Sequence, residues 1–347
     1  MTLKKSIKLL FILLVVFLLA ACGTNDSDGA EDGDNPSGTL TVYVAFQEDH
    51  AIAAIDKFQQ DTGIDVDMVR MSAGEILAKV RAEKDNPQAD IWYGGPADTF
   101  EAAKTEDLLH AYDSPAAADI PEEYRDPDNF WTGIYVGAIG FATNQNFLDD
   151  NGLEAPTSWD DLLDPEYKNQ IVMAHPSSSG TAYTALYSIL RAKGGDEEGF
   201  EYLEELHPQV QQYTTSGSAP GRMVGMNEVG AGILFAHDIV KYQEEGFDDI
   251  VLSFPDDGTG FEIGGVGIIE GAPNEELAQE FVDWAAGPEA QEIGQESSNF
   301  QSLTHPDAVP PEGAPDLDEI NLIDSDPKEA GERRQEILDR WDNEVNN

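Results

Sequence analysis

Cysteine is almost missing from this chain: Cys22 is the only one in 347 residues, so no internal disulfide can form. Basic residues are scarce as well, 19 against 68 acidic, for a formal charge of −49. A surface of that sign makes nucleic acid and anionic lipid headgroups poor partners. The apolar run Leu9 to Ala21 has 13 residues, short of the ~20 that span a membrane. There is no Gly-x-Ser-x-Gly elbow and no His-Glu-x-x-His, which weighs against a serine hydrolase and a zinc protease. Internal repeats and coiled-coil heptads are also lacking.

What is present begins with a targeting segment. Lys4, Lys5 and Lys8 precede the apolar run, and Leu19-Ala20-Ala21 has the small-residue character of a cleavage site. A lone cysteine directly after such a core resembles the lipobox of bacterial lipoproteins, which implies a signal peptide over 1–21 and lipid on Cys22. Residues 22–38, rich in Gly, Ser, Asn and Asp, read as an acidic flexible tether. Without the three leader lysines the balance is 16 basic against 68 acidic, or −52. Hydrophobic residues still make up 40%, so the acid must coat a folded surface. Solubility at high external salt is one rationale, since the Debye length falls to ~3 Å at 1 M.

The remaining ~310 residues suggest two lobes rather than one. Thr39–Ala45 and Ile64–Val69 read as strands and Ala51–Thr62 and Gly74–Glu83 as helices, with Ile52, Ile55 and Phe58 on one face of the former. Ala89–Tyr93 is a third strand, ending in Gly94-Gly95-Pro96. Such alternation predicts a mostly parallel sheet with helices on both faces, and ligands then sit beyond the carboxyl ends of its strands. Trp131–Asn144 is a long extended run suited to crossing into a second lobe. Further strands are expected at Ala231–Ala236, Ile250–Phe254 and Gly264–Ile269, and amphipathic helices at Glu275–Trp284 and Lys328–Trp341.

The most suggestive stretch is His175 to Thr184. The apolar run Gln170–Ala174 leads into Ser177-Ser178-Ser179-Gly180-Thr181, and a helix follows from Tyr183. Free N–H groups of a helix's first turn, with its dipole, favour an anion there, and the hydroxyls add donors. The simpler reading is that Ser179 or Thr181 only caps its own helix.

Leu40–Tyr43, Ala89–Gly95, Pro156–Leu162, Pro165–Ile171 and Ala290–Ile293 occur in an order that resembles the extracellular solute-binding proteins of ABC importers. The branch is the one containing ferric-iron and hexose-phosphate binders, and the likeness runs over residues 39–305. It implies an α/β, type II periplasmic-binding-protein-like fold, with a ligand cleft between two lobes joined by crossing strands. The expected division is lobe 1 over 39–138 with a return segment near 263–305, lobe 2 over 139–262, and an acidic helical C-terminal segment over 306–347 packing on the lobes.

The resemblance also implies a site. Where ferric binders place a histidine before a glutamate, this chain has Gln47-Glu48. Where they carry two tyrosines it has Phe235-Ala236-His237-Asp238, so the hard donors for Fe³⁺ are missing. The pattern resembles the sugar-phosphate binders instead. Asp238 and Glu262 would accept from sugar hydroxyls and His237 would donate. Ser178, Ser179, Gly180 and Thr181, with Thr215, Ser216 and Gly217, would hold the phosphate. Gly94 and Gly95 would allow close backbone approach, Trp92 and Tyr93 would either stack on ligand or fill the core, and Arg222 would help or lie in solvent.

The expected function is therefore a lipid-anchored, extracytoplasmic, monomeric receptor. It would deliver a phosphorylated small solute, first a hexose phosphate, to an ABC permease, without cofactor, metal or nucleic acid. Ferric iron, a phosphonate and a polyamine are the alternatives within that class. A secreted hydrolase built on Ser179, His237 and Asp238 is the alternative outside it, disfavoured because neighbours at a strand end point opposite ways.

Overall fold

A computed structural model describes residues 38–346. The leader 1–21, Cys22 and the tether up to residue 37 lie outside the described residues.

Strand β1 (Thr39–Val44) buries Leu40, Val42 and Val44 completely. Parallel neighbours β2 (Asp65–Arg70) and β3 (Ile91–Pro96) flank it. Helices α1 (Glu48–Thr62) and α2 (Ala73–Ala82) make the crossovers. The face expected on α1 is shifted by one residue. Ala51, Ala54, Ile55 and Phe58 point inward at i, i+3, i+4 and i+7, the spacing of a helix stripe, while Ile52 is 45% exposed. Helix α3 (Ala97–Thr105) and the short β4 (Leu109–His110) follow.

The 13-residue strand β5 (Thr132–Asn144) is buried along its whole length and belongs to both lobes. Its first half, to Ala138, pairs antiparallel with β10 (Phe261–Ile269). From Ile139 onward it pairs with β8 (Ala231–Phe235) and β9 (Ile250–Ser253). Helix α4 (Gln145–Asn151), β6 (Ile171–Ala174), α5 (Gly180–Ala192), α6 (Asp196–Leu206), β7 (Val210–Thr214), α7 (Ala219–Gly225) and α8 (Ala236–Glu244) complete the second lobe. The strand order is β2-β1-β3-β10-β5-β8-β6-β7, parallel on both flanks and antiparallel where the chain crosses. The expectation of a mostly parallel sheet fails at that crossing.

Residues 254–260 form the second crossing. There the Ile139 N–H donates to the Gly260 carbonyl (2.9 Å) and the Thr259 hydroxyl donates to the Ile139 carbonyl (2.9 Å). Each lobe has its own core: Leu40, Phe58, Ile91 and Phe281 in the first, Phe141, Trp159, Tyr183 and Phe200 in the second. Trp92 and Tyr93 are buried in the first lobe, Trp92 against Phe100 with ring centroids 4.6 Å apart, so they fill core. The chain then runs through α9 (Glu275–Ala286), α10 (Pro288–Gln291), α11 (Gly294–Ser297) and β11 (Ser302–Leu303). The helix expected over Lys328–Trp341 is two helices, α12 (Pro327–Glu332) and α13 (Arg334–Glu344), broken at Arg333.

Candidate functional site

The lobes are closed on one another. A Cβ at Gly74 would come within 2.5 Å of the Ser177 carbonyl oxygen, and one at Gly180 within 2.6 Å of Pro96 Cδ. The Ser72 hydroxyl donates across the cleft to the Thr215 carbonyl (3.2 Å). Between them lies a cavity of about 60 Å³, well above the ~10–15 Å³ that one water needs.

Helix N-termini surround this cavity. The residues capping α1 (Gln47), α2 (Ser72), α3 (Pro96), α5 (Ser179), α7 (Ser218) and α8 (Phe235) all line it. Each of these helices follows a strand, so the strand-to-helix turns of both lobes converge on the same space. A helix N-terminus favours a nearby anion by roughly 0.3–1 kcal/mol, which counters the acidic character of the protein at this end of the cavity. Long-range repulsion by the surface falls off over ~8 Å at physiological salt.

Two clusters of side chains can be told apart. The first is hydroxyl-rich: Ser72, Ser179, Thr181, Ser216 and Ser218, with Gly217 between them. A Cβ at Gly217 would sit 2.9 Å from the Ser179 hydroxyl, so glycine lets the two loops meet. Ser179 is indeed a cap, its hydroxyl accepting from the Ala182 N–H (3.3 Å). Its own proton stays available to the cavity, so the capping and lining roles coexist.

The second cluster is acidic. Asp238 Oδ1 accepts from Gln47 Nε2 across the cleft. The Tyr135 hydroxyl donates to Glu262 Oε2 (3.3 Å) and accepts from the Gly95 N–H (3.2 Å). His237 Nε2 lies 3.8 Å from Asp238 Oδ1 and 3.9 Å from Glu262 Oε1, while its Nδ1 is buried without a partner. Burial, then the charge of Asp238, pushes the Glu262 carboxyl well above the usual range. Burial lowers the His237 imidazole, opposed by Asp238. Gly137, paired in register with Glu262 on the crossing strand, makes room for the imidazole: a Cβ there would be 2.5 Å from Nδ1.

Several sequence expectations change here. His237 and Asp238 lie in the first turn of α8, not at a strand end, and both reach the cavity. The two side chains therefore do not point opposite ways. No relay is formed among the described residues: His237 Nε2 stands 3.8 Å from Asp238 Oδ1, and His237 Nδ1 has no partner, Ser179 included. Gln47, Gly95, Ser179, Gly180, Thr181, Ser216, Gly217, His237, Asp238 and Glu262 line the cavity. Four residues named with them do not. Glu48 is exposed, Gly94 at φ +86° faces the Phe46 ring, the Ser178 hydroxyl donates to the His175 carbonyl, and Thr215 offers its backbone to Ser72.

Arg222 is exposed on the last turn of α7, away from the cavity. The arginine that lines it is Arg70, held by an Nε–H bond to the Phe46 carbonyl (2.8 Å). Among the described residues, its terminal nitrogens have no hydrogen bond or ion pair. Arg70 ends a strand, the position where such sheets meet ligand, and that signal was readable. Tyr135, Asn299 and Gln301 line the cavity too, brought there only by the fold.

Two closed α/β lobes, two crossing strands and a polar cavity ringed by helix N-termini define a two-lobed binding protein of the type II periplasmic kind. Residues 86–320 match the model for bacterial extracellular solute-binding proteins. The chain belongs to that family and is a solute-binding protein of an ABC importer. It is 36% identical over 319 residues to an uncharacterized protein of Haemophilus influenzae, spanning 90% of this chain and 92% of that one. The solved periplasmic binding protein AfuA from Actinobacillus pleuropneumoniae, with exogenous fructose-6-phosphate bound, superposes with a TM-score of 0.86 at 36% identity. That match covers 89% of this chain and 99% of AfuA. The periplasmic binding protein P5PA superposes at 0.85 with 32% identity, over 89% and 100% of the two chains. No helix among the described residues is long and apolar enough to cross a membrane.

Proposed function

We propose that this receptor captures a phosphorylated small solute, a hexose phosphate first among them, and hands it to its permease from a lipid anchor on Cys22. The carrying observation is the pairing of the two clusters in one cavity. Helix N-termini, hydroxyls and Arg70 suit a phosphate dianion, whereas Asp238, Glu262 and His237 suit a polyhydroxyl body. The likeness to AfuA, solved with fructose-6-phosphate, supports the same reading. A hard Fe³⁺ ion is poorly served by Gln47, Ala236 and His237. Among the described residues, no group of three or more His, Cys, Asp or Glu is placed to hold a metal.

The test is calorimetric titration with fructose 6-phosphate, fructose, inorganic phosphate and a small phosphonate, alongside native mass spectrometry of the protein as purified. Tightest binding to the sugar phosphate, with no phosphate released, is expected. Equal affinity for fructose, preference for the phosphonate, or a charge-transfer colour with Fe³⁺ citrate would overturn the assignment.

A further inference from the structure

Of the C-terminal helices, α12 lies between the lobes, packed along α3 of the first and joined to α5 of the second, while α13 rides on the second lobe. The Tyr183 hydroxyl donates to the Ala330 carbonyl (2.6 Å), and Ile337 and Trp341 join that lobe's core. Arg340 lies over the Phe200 ring at 4.2 Å, and Arg333 pairs with Asp196. The packing of α12 on α3 is close. A Cβ on Gly331 would fall 2.5 Å from Glu101 Cβ and 2.6 Å from the Asp98 carbonyl oxygen.

Beside that contact, Arg334 Nη1 donates to Asp98 Oδ1 (2.8 Å) while its guanidinium stacks on Tyr183 at 4.0 Å. Arg334 is 3% exposed and Asp98 7%. The pair therefore joins a residue of the first lobe to one carried by the second. Asp98 stands two positions beyond Pro96, which lines the cavity and abuts Gly180.

We propose that Asp98 and Arg334 are positioning residues for solute capture: the pair assembles when the lobes close in register and comes apart when they open. A buried ion pair about breaks even against water, but a single buried charge without its partner is strongly unfavourable. Removing one partner therefore leaves the open form, where the survivor is hydrated, almost unchanged and penalises the closed form alone. Burial raises the Asp98 carboxyl and Arg334 opposes that rise, as a charge dependent on its partner should behave. This inference does not depend on which solute is bound.

The experiment compares wild type, Asp98→Asn, Arg334→Met and the double variant by titration and stopped-flow with fructose 6-phosphate, by thermal melting, and by small-angle scattering with and without ligand. Each single variant is expected to bind about 10- to 100-fold more weakly, mainly through faster dissociation, and to scatter as a more open molecule. The double variant, freed of the lone charge, should recover most of the affinity. Lower melting temperatures with unchanged affinity would mean a purely structural pair and overturn the proposal, as would a double variant as weak as the worse single one. If wild type ignores fructose 6-phosphate, the ligand assignment falls. The latch is then read from ligand-free scattering, where an Arg334→Met radius equal to wild type overturns it.

Discussion

The two clusters of the cleft use opposite physics. The hydroxyl cluster relies on neutral donors and backbone dipoles, contributed by loops whose glycines let them approach. Its attraction for an anion needs no buried charge and is spread over many weak donors. The acidic cluster concentrates charge: Asp238, Glu262 and His237 are at most 6% exposed and lie within 4 Å of one another through His237. Distributed sites degrade gradually when one donor is lost. Concentrated ones fail at a single residue, because the remaining polar groups are left buried and unpaired.

That contrast orders the expected effects of substitution. Asp238→Ala removes the acceptor of Gln47 and the charge beside Glu262 and His237. It should weaken fructose 6-phosphate by about 100-fold yet leave inorganic phosphate nearly unaffected by calorimetry. Equal losses for both ligands would erase the distinction between the clusters. Ser179→Ala with Thr181→Ala should weaken both phosphorylated ligands alike, by about tenfold. It should also lower stability by about 1 kcal/mol through the lost cap on α5. Normal phosphate binding by that variant would remove the hydroxyl cluster from the site.

The smallest effect concerns protons. Because the folded Glu262 carboxyl is raised, the native chain keeps a proton that the unfolded chain gives up. Its contribution to stability is then full below the unfolded carboxylate value of about 4.3 and is lost as pH rises toward the folded one. His237 acts oppositely: its imidazole is lowered, so stability is lost as pH falls below the ordinary value of about 6.5. Scanning calorimetry from pH 5 to 8 should show Glu262→Gln free of the decline at rising pH while keeping the acid-side loss. Parallel curves for variant and wild type would rule out a buried, protonated Glu262.

Much of this was legible in the residues. The alternation of β1 to β3, the long run of β5 and the serine-rich turn before α5 follow from local periodicity and turn chemistry, which act within one element. The direction of His237 and Asp238 was not legible. Phe235-Ala236-His237 continues an apolar run, and only tertiary packing ends the strand one residue earlier and starts a helix. Ile52 falls outside the buried face because an i, i+3, i+6 stripe drifts around a helix. Tyr135, Asn299 and Gln301 lie on segments that nothing local marks as cavity walls. Arg70, by contrast, is legible as a candidate from its place at a strand end alone.

Gly137 carries a last consequence. It lies one residue before the point where β5 changes lobes, and the His237 ring occupies the space its side chain would fill. The imidazole and the crossing strand therefore share one space: even the methyl of Gly137→Ala would press on the His237 ring, so one missing Cβ shapes both the cavity wall and the passage between the lobes.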